Sequence, residues 1–171
     1  YREYLKLLEV DPAEVKAVEE IPFLPIELFK TRRVYAHERE PEQVFTSSST
    51  SGQTPSKHYV ASLALYEEAF TRAFERFYGP ADEVALFALL PSYLEREGSS
   101  LIYMADRLIA HGGGGFYLHD HERLLHDLAA CPKKKILLGV SYALWDLAER
   151  HPGALEDTVI MEIGEIGRAH V

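Results

Sequence analysis

Apolar positions along the chain follow two alternating patterns, short continuous runs and longer stripes of helical period. A continuous apolar run of four to eight residues is typical of a strand buried on both faces, whereas a 3.6-residue period is typical of a surface helix. The runs predict strands at 44–47, 84–90, 116–118, 136–140 and 158–163. The stripes predict helices at 62–78, 99–110, 121–130 and 141–150. Because strands and helices alternate, we expect an α/β fold with a largely parallel sheet and helices on both faces.

Local signals set the ends of several elements. Asp11 followed by Pro12 predicts a helix that starts there and runs to about Val18. Asp120 and Ser141 are expected to cap the helices that follow them. The apolar stripe of helix 62–78 is predicted to consist of Leu63, Tyr66, Phe70, Phe74 and Phe77. We also expect exposed apolar surface along the last strand, 158–163.

Charge and composition exclude several classes of function. The formal net charge is -9, which argues against a protein that binds nucleic acid or an anionic membrane surface. The short basic runs at 32–33 and 133–135 are interpreted as solvated loops. A single cysteine, Cys131, is consistent with a reducing compartment, and no apolar run approaches the roughly 20 residues of a membrane span. The sequence therefore indicates a cytoplasmic protein without a membrane span.

A hydroxyl-rich segment, 45–57, begins within the first predicted strand. Its residues 47–57 are expected to form a loop at the carboxyl edge of the sheet, before the first long helix. Successive backbone N–H groups, several hydroxyls and a lysine form a set of donors that suits a phosphate chain. A Walker-A loop needs a second glycine and a differently spaced lysine, and Gly52 is the only glycine here. The four glycines at 112–115 follow a helix, so they indicate a helix end and a turn.

Four segments together resemble a known family. Residues 47–52 are similar to the serine/threonine/glycine-rich loop of adenylate-forming enzymes. Residues 21–30, 89–96 and 136–144 resemble one branch of that superfamily, the LuxE-type acyl-protein synthetases (long-chain-fatty-acid–protein ligases), which are related to phenylacetate-CoA ligase. The resemblance extends from about Leu5 to Gly164. The sequence departs from the family loop at Ser49, where glycine is usual, and at Pro55, where a basic residue is frequent.

The resemblance implies an ATP- and magnesium-dependent enzyme that activates a carboxylic acid, specifically a long-chain fatty acid, and transfers the acyl group to a protein cysteine. An aryl- or acyl-CoA ligase of the same superfamily is the nearest alternative. Implied partners are the acyl-transferase and reductase subunits of a fatty-acid reductase complex. The implied phosphate-binding residues are Ser47, Ser48, Ser49, Thr50, Ser51, Gly52 and Lys57, with magnesium bound through Thr50. The implied substrate or nucleotide pocket contains His58, Ser92, Tyr93, Gly139, Val140, Ser141, Tyr142 and Glu162.

The same resemblance implies an incomplete enzyme. Residues 1–164 would form part of the large N-terminal adenylation domain, and residues 165–171 resemble a translated sequencing adapter, so we expect a non-native tail there. The small C-terminal domain, its catalytic lysine and the acceptor cysteine are expected beyond this chain. On this interpretation the chain is inactive by itself.

Two other functions stay open from the residues. Ser141 lies at a predicted strand-to-helix turn, the setting of a hydrolase or acyl-transferase nucleophile, although Ala143 stands where that motif has glycine. The second open function is a non-catalytic, nucleotide-binding role. A metal site at His119, His121 and His126 is disfavoured, because neighbouring strand residues point to opposite faces.

Overall fold

A computed structural model describes residues 1–47, 54–90 and 98–164 of the chain. These residues belong to two compact units, Tyr1–Leu63 and Ala64–Val171. The helices in the described ranges are α1 (Arg2–Leu7), α2 (Leu28–Thr31), α3 (Leu63–Tyr78), α4 (Ser100–Gly112), α5 (His121–Ala130) and α6 (Ser141–Arg150). The strands there are β1 (Gln43–Thr46), β2 (Lys57–Val60), β3 (Val84–Leu89), β4 (Gly114–Tyr117), β5 (Lys134–Val140) and β6 (Thr158–Ile163).

The second unit is an α/β structure around a parallel sheet of four strands in the order β4-β3-β5-β6. Every residue of β3 and the last five of β5 are buried, as expected for central strands covered on both faces. The sequence predictions of a parallel sheet, of helices 121–130 and 141–150, and of strand 158–163 are confirmed.

The connections between these strands determine where the helices lie. From β3 the chain moves outward to β4, then crosses back past β3 to β5 and continues to β6. Because parallel crossovers are right-handed, α4 lies on one face of the sheet and α5 and α6 lie on the other. Leu144 and Leu147 of α6 line a small apolar cavity together with Leu137 and Ile160 of the sheet, which agrees with this arrangement. The direction of winding reverses between β3 and β5, where ligands of such sheets bind.

The glycines at 112–115 permit close contact between backbones. A Cβ atom on Gly112 would lie 1.8 Å from the carbonyl oxygen of Val84, and one on Gly114 would lie 2.0 Å from that of Leu86. Gly113 caps α4 with a φ of 91°, as the predicted helix end requires. Gly112 is the last residue of α4, and Gly114 and Gly115 belong to β4, so only Gly113 lies between the helix and the strand.

In the first unit, the first predicted strand has a different pairing from the one that the sequence predicts. Residues 43–46 do form a strand, but β1 pairs antiparallel with β2 in a separate two-stranded sheet, with Phe45 opposite His58. The expectation that this strand belongs to the parallel sheet is wrong. The hydroxyl-rich segment therefore joins two antiparallel strands, and it does not connect a strand of the main sheet to a helix.

The predicted helix from Asp11 to Val18 is absent from the described structure. Asp11 accepts a hydrogen bond from the backbone N–H of Ala13 at 2.9 Å, which closes a turn and does not start a helix. The carboxylate of Glu20 then accepts the N–H groups of Lys16 and Ala17, so that segment turns toward a short 3₁₀ turn at Val18–Glu20.

The second unit contains the two apolar surfaces that the sequence predicts, the stripe of α3 and the exposed side chains of the last strand. Phe70 and Phe74 of α3 pack against the core as predicted, but Tyr78 joins them, whereas Phe77 is 77% exposed. Strand β6 is an edge strand, and its Val159 and Ile160 are exposed, which confirms the expected apolar surface there.

The basic run 133–135 is structural, contrary to its interpretation as a solvated loop. The ammonium of Lys133 donates to the carbonyl oxygens of Asp82 and Gly112, both at 2.7 Å, and that of Lys134 donates to Tyr78 at 2.8 Å. Gly112 and Tyr78 are the last residues of α4 and α3, where the carbonyl groups lack helical partners and the dipole favours a cation. These two lysines thus bind the ends of two helices to the start of β5.

We expect Lys133→Met to lower the free energy of unfolding by about 1 kcal/mol, because two carbonyl oxygens lose a charged donor. Lys135→Met is the matched control, since the lysine is replaced in the same run. Urea unfolding of both variants measures the difference. Equal stabilities for the two variants would show that the Lys133 contacts do not stabilise the fold.

Candidate functional site

The base of the hydroxyl-rich loop is closed by its two end serines. The backbone N–H of Ser47 donates to the carbonyl oxygen of Ser56 at 3.0 Å, which continues the β1–β2 ladder by one residue pair. The backbone N–H of Ser56 donates to the hydroxyl oxygen of Ser47, also at 3.0 Å. The Ser47 hydroxyl oxygen accepts this second bond and so closes the base of the loop. The hydrogen of the same hydroxyl can still be donated to another group.

Ser56 and His58 lie on the same side of β2, two residues apart. The buried Ser56 hydroxyl lies 3.1 Å from Nε2 of His58, and the His58 ring stacks on Phe29 with centroids 5.0 Å apart. Lys57 lies between them in sequence, so its exposed side chain points to the opposite face of the hairpin. The hairpin therefore places a cation on one face and a hydrogen-bonded imidazole on the other.

Most of the predicted phosphate-binding residues lie outside the ranges that the structure describes. Ser48, Ser49, Thr50, Ser51 and Gly52 lie outside the described residues, as do Ser92 and Tyr93. Of the predicted phosphate set, Ser47 and Lys57 are described, one at each end of the loop.

The remaining predicted pocket residues meet at the carboxyl edge of β5 and β6. Gly139 is paired in register with Glu162, and the two occupy the same face of the sheet. A Cβ on Gly139 would approach Leu144 of α6 to 2.7 Å, so glycine lets that helix pack close to the strand. A Cβ on Gly164 would lie 2.0 Å from the Ser141 hydroxyl, so the chain leaving β6 lies directly against the start of α6.

Ser141 does not cap its helix. Val140 occupies the cap position with extended backbone, and Ser141 is the first helical residue, without a side-chain capping bond. Its hydroxyl makes no hydrogen bond to a histidine within residues 1–47, 54–90 and 98–164. The next histidine in the chain, His151, follows the last residue of the same helix, about 15 Å away along the helix axis.

A second cluster at this edge was not identified from the sequence. His121, the first residue of α5, is 8% exposed, and its Nε2 lies 3.9 Å from the carboxylate of Asp146 on α6. Arg150 donates to the same carboxylate at 2.7 Å, and the ring of His151 stands edge-on to that of His121. The spacing of the histidines within their own segment does not reveal this cluster, because the neighbours of His121 come from the next helix.

Burial is the main cause that lowers the pKa of His121 below its ordinary value. The nearby Asp146 carboxylate opposes this shift, whereas His151, Arg150 and His119 reinforce it. His121 is therefore neutral in the folded protein at neutral pH.

This shift predicts a pH-dependent stability. The unfolded chain binds a proton at His121 near pH 6.5, and the folded chain binds it only at lower pH, so stability falls as the pH falls below about 6.5. His121→Gln should reduce this loss, whereas the same change at the exposed His111 should not. Thermal unfolding between pH 7.5 and 5 measures both, and equal pH dependence in the two variants would contradict the assignment.

Comparisons with known proteins identify no relative of this chain. No family model, no curated protein and no solved structure matches the chain. Within the described ranges no helix is long and apolar enough to cross a bilayer, and no group of three or more histidine, cysteine or acidic side chains is placed to hold a metal ion.

Proposed function

We propose that residues 47–57 bind the phosphate chain of ATP in an enzyme that activates a carboxylic acid as its acyl-adenylate. The observation that supports this most is the closed base of the loop, where Ser47 and Ser56 are joined by two hydrogen bonds. Such closure holds Ser47 and Ser56, the two ends of a hydroxyl-rich segment, at a fixed separation. The resemblance to LuxE-type acyl-protein synthetases supplies the reaction.

In this reaction a carboxylate oxygen of the acid attacks the α-phosphorus of ATP, and the bond to pyrophosphate breaks. Magnesium, when bound, neutralises charge on the phosphates. The protein mainly positions the groups and stabilises charge, which suits a loop with a serine hydroxyl at one end and the ammonium of Lys57 at the other. A thiol would then attack the acyl carbon and release AMP. We propose a protein cysteine as the acceptor, with coenzyme A as the alternative thiol.

The parallel sheet supports a second part of the proposal, the position of the acid. Residues 139–142 and Glu162 lie at the carboxyl ends of β5 and β6, and β5 borders the point where the winding of the sheet reverses. We propose that these residues of the second unit contact the carboxylic acid. The large domain of an adenylate-forming enzyme is the fold that we propose for residues 1–164.

The geometry around Ser141 favours this proposal over a serine hydrolase or acyl-transferase. A nucleophilic serine needs a base within hydrogen-bond reach, and none is found for Ser141 among the described residues. Covalent labelling of Ser141 by a fluorophosphonate probe would contradict this preference.

Binding of magnesium-ATP to the chain tests the loop directly. We expect Lys57→Gln to weaken binding roughly five- to tenfold, because one cation near the phosphates is lost. Lys30→Gln is the control, a lysine of the same unit that is not part of the loop. Isothermal titration calorimetry gives the dissociation constants. Equal affinities in wild type and Lys57→Gln, or no binding by either, would contradict the assignment of the phosphate site.

A further inference from the structure

A cleft of about 370 Å³ opens between the turn that follows β4 and the outer face of α6. The α6 side is formed by Tyr142, Trp145 and Glu149, which recur at helical spacing and therefore share one face. Trp145 is 69% exposed, although large aromatic side chains are usually covered in folded proteins. The other wall includes the buried His121. This cleft lies entirely within the second unit.

The charges around the cleft favour a cation. Asp146 is neutralised by Arg150 at 2.7 Å. Glu149 makes no ion pair or hydrogen bond with the described residues, so its carboxylate is the uncompensated charge of the cleft. The imidazole of His121 is neutral at neutral pH and does not repel a positive ligand. An anion such as a fatty acid or a phosphate would instead meet Glu149.

Hydrogen-bonding capacity in the cleft is also unused. The ring nitrogens of His121 form no hydrogen bond with the part of the chain that the structure describes, and the Asp146 carboxylate, at 3.9 Å, is too far for one. A neutral imidazole has one ring nitrogen that accepts a hydrogen bond, so a donor in the cleft can bind His121 there.

We propose that this cleft binds a small organic ammonium ion with an aromatic or apolar body. The body packs on the exposed face of Trp145, and the ammonium lies beside Glu149 and donates to the His121 ring. Aromatic faces attract cations, and a carboxylate supplies the opposite charge. This site is separate from the phosphate site and does not depend on ATP.

Trp145 is the only tryptophan in the chain, so its fluorescence reports on the cleft alone. The test titrates the protein with three compounds of similar shape and different charge, which are phenethylammonium, 2-phenylethanol and phenylacetate. We expect saturable change with phenethylammonium, at a dissociation constant roughly five- to tenfold lower than for the alcohol, and the weakest binding for phenylacetate. Butylammonium, which mimics a lysine side chain, should bind less well because it lacks the aromatic body.

Glu149→Gln separates charge recognition from apolar contact. We expect this variant to bind phenethylammonium and 2-phenylethanol equally. Glu83→Gln is the control, because Glu83 directly precedes β3 at the amino end of the strands, and this variant should keep the preference for the ammonium over the alcohol. Glu149 is a surface residue, so the fold should be retained. The proposal is overturned if no compound gives a saturable signal, if wild type does not prefer the ammonium over the alcohol, if phenylacetate binds most tightly, or if butylammonium matches phenethylammonium.

Discussion

Burial of two adjacent apolar strands is the constraint on which the second unit depends. All of β3 and most of β5 are excluded from water, and they pair with each other in parallel. Strands of this kind need helices on both faces, which α3 to α6 supply. The close approach of Gly112 to the backbone of Val84 and the lysines that bind two helix ends accompany the packing of helices against this pair.

The same constraint explains what could be predicted from the sequence. Long apolar runs predicted β3, β5 and β6, and amphipathic stripes predicted the helices around them. Burial on both faces explains the apolar runs of β3 and β5. The partner of β1 could not be identified in this way. Strand β2 is four residues long and begins Lys57-His58, so it has neither an apolar run nor a turn signal of a hairpin. Without β2, the pattern alone could not show that β1 belongs to a separate antiparallel sheet.

The position of a residue at the sheet edge can be predicted from the sequence, whereas its side-chain partners cannot. Residues that follow the carboxyl ends of strands could be assigned to a common edge, because parallel topology brings those ends together. Side-chain partners from different helices, such as His121 and Asp146, have no spacing rule in the sequence. The capping role of Ser141 was mispredicted because a serine beside a helix start fits both the cap and the first helical position. The Ser56–His58 contact likewise depends on strand pairing that periodicity does not reveal.

The loop and the cleft have opposite electrostatic character, so the ligands that we propose for them differ in charge. The loop ends in a cation and carries many hydroxyl and N–H donors, whereas the cleft carries an uncompensated carboxylate and an imidazole that can accept a hydrogen bond. The role that we propose for the loop is phosphate binding. Its most direct test is fatty-acid-dependent exchange of pyrophosphate into ATP, measured on the longest form of the protein that its gene encodes. If the loop stabilises the phosphates during adenylation, Thr50→Ala should lower the exchange rate by about 10² to 10³ while ATP binding weakens less, and Ser49→Gly should leave it equal or higher. An unchanged exchange rate in Thr50→Ala would contradict the assignment of this loop to the phosphates.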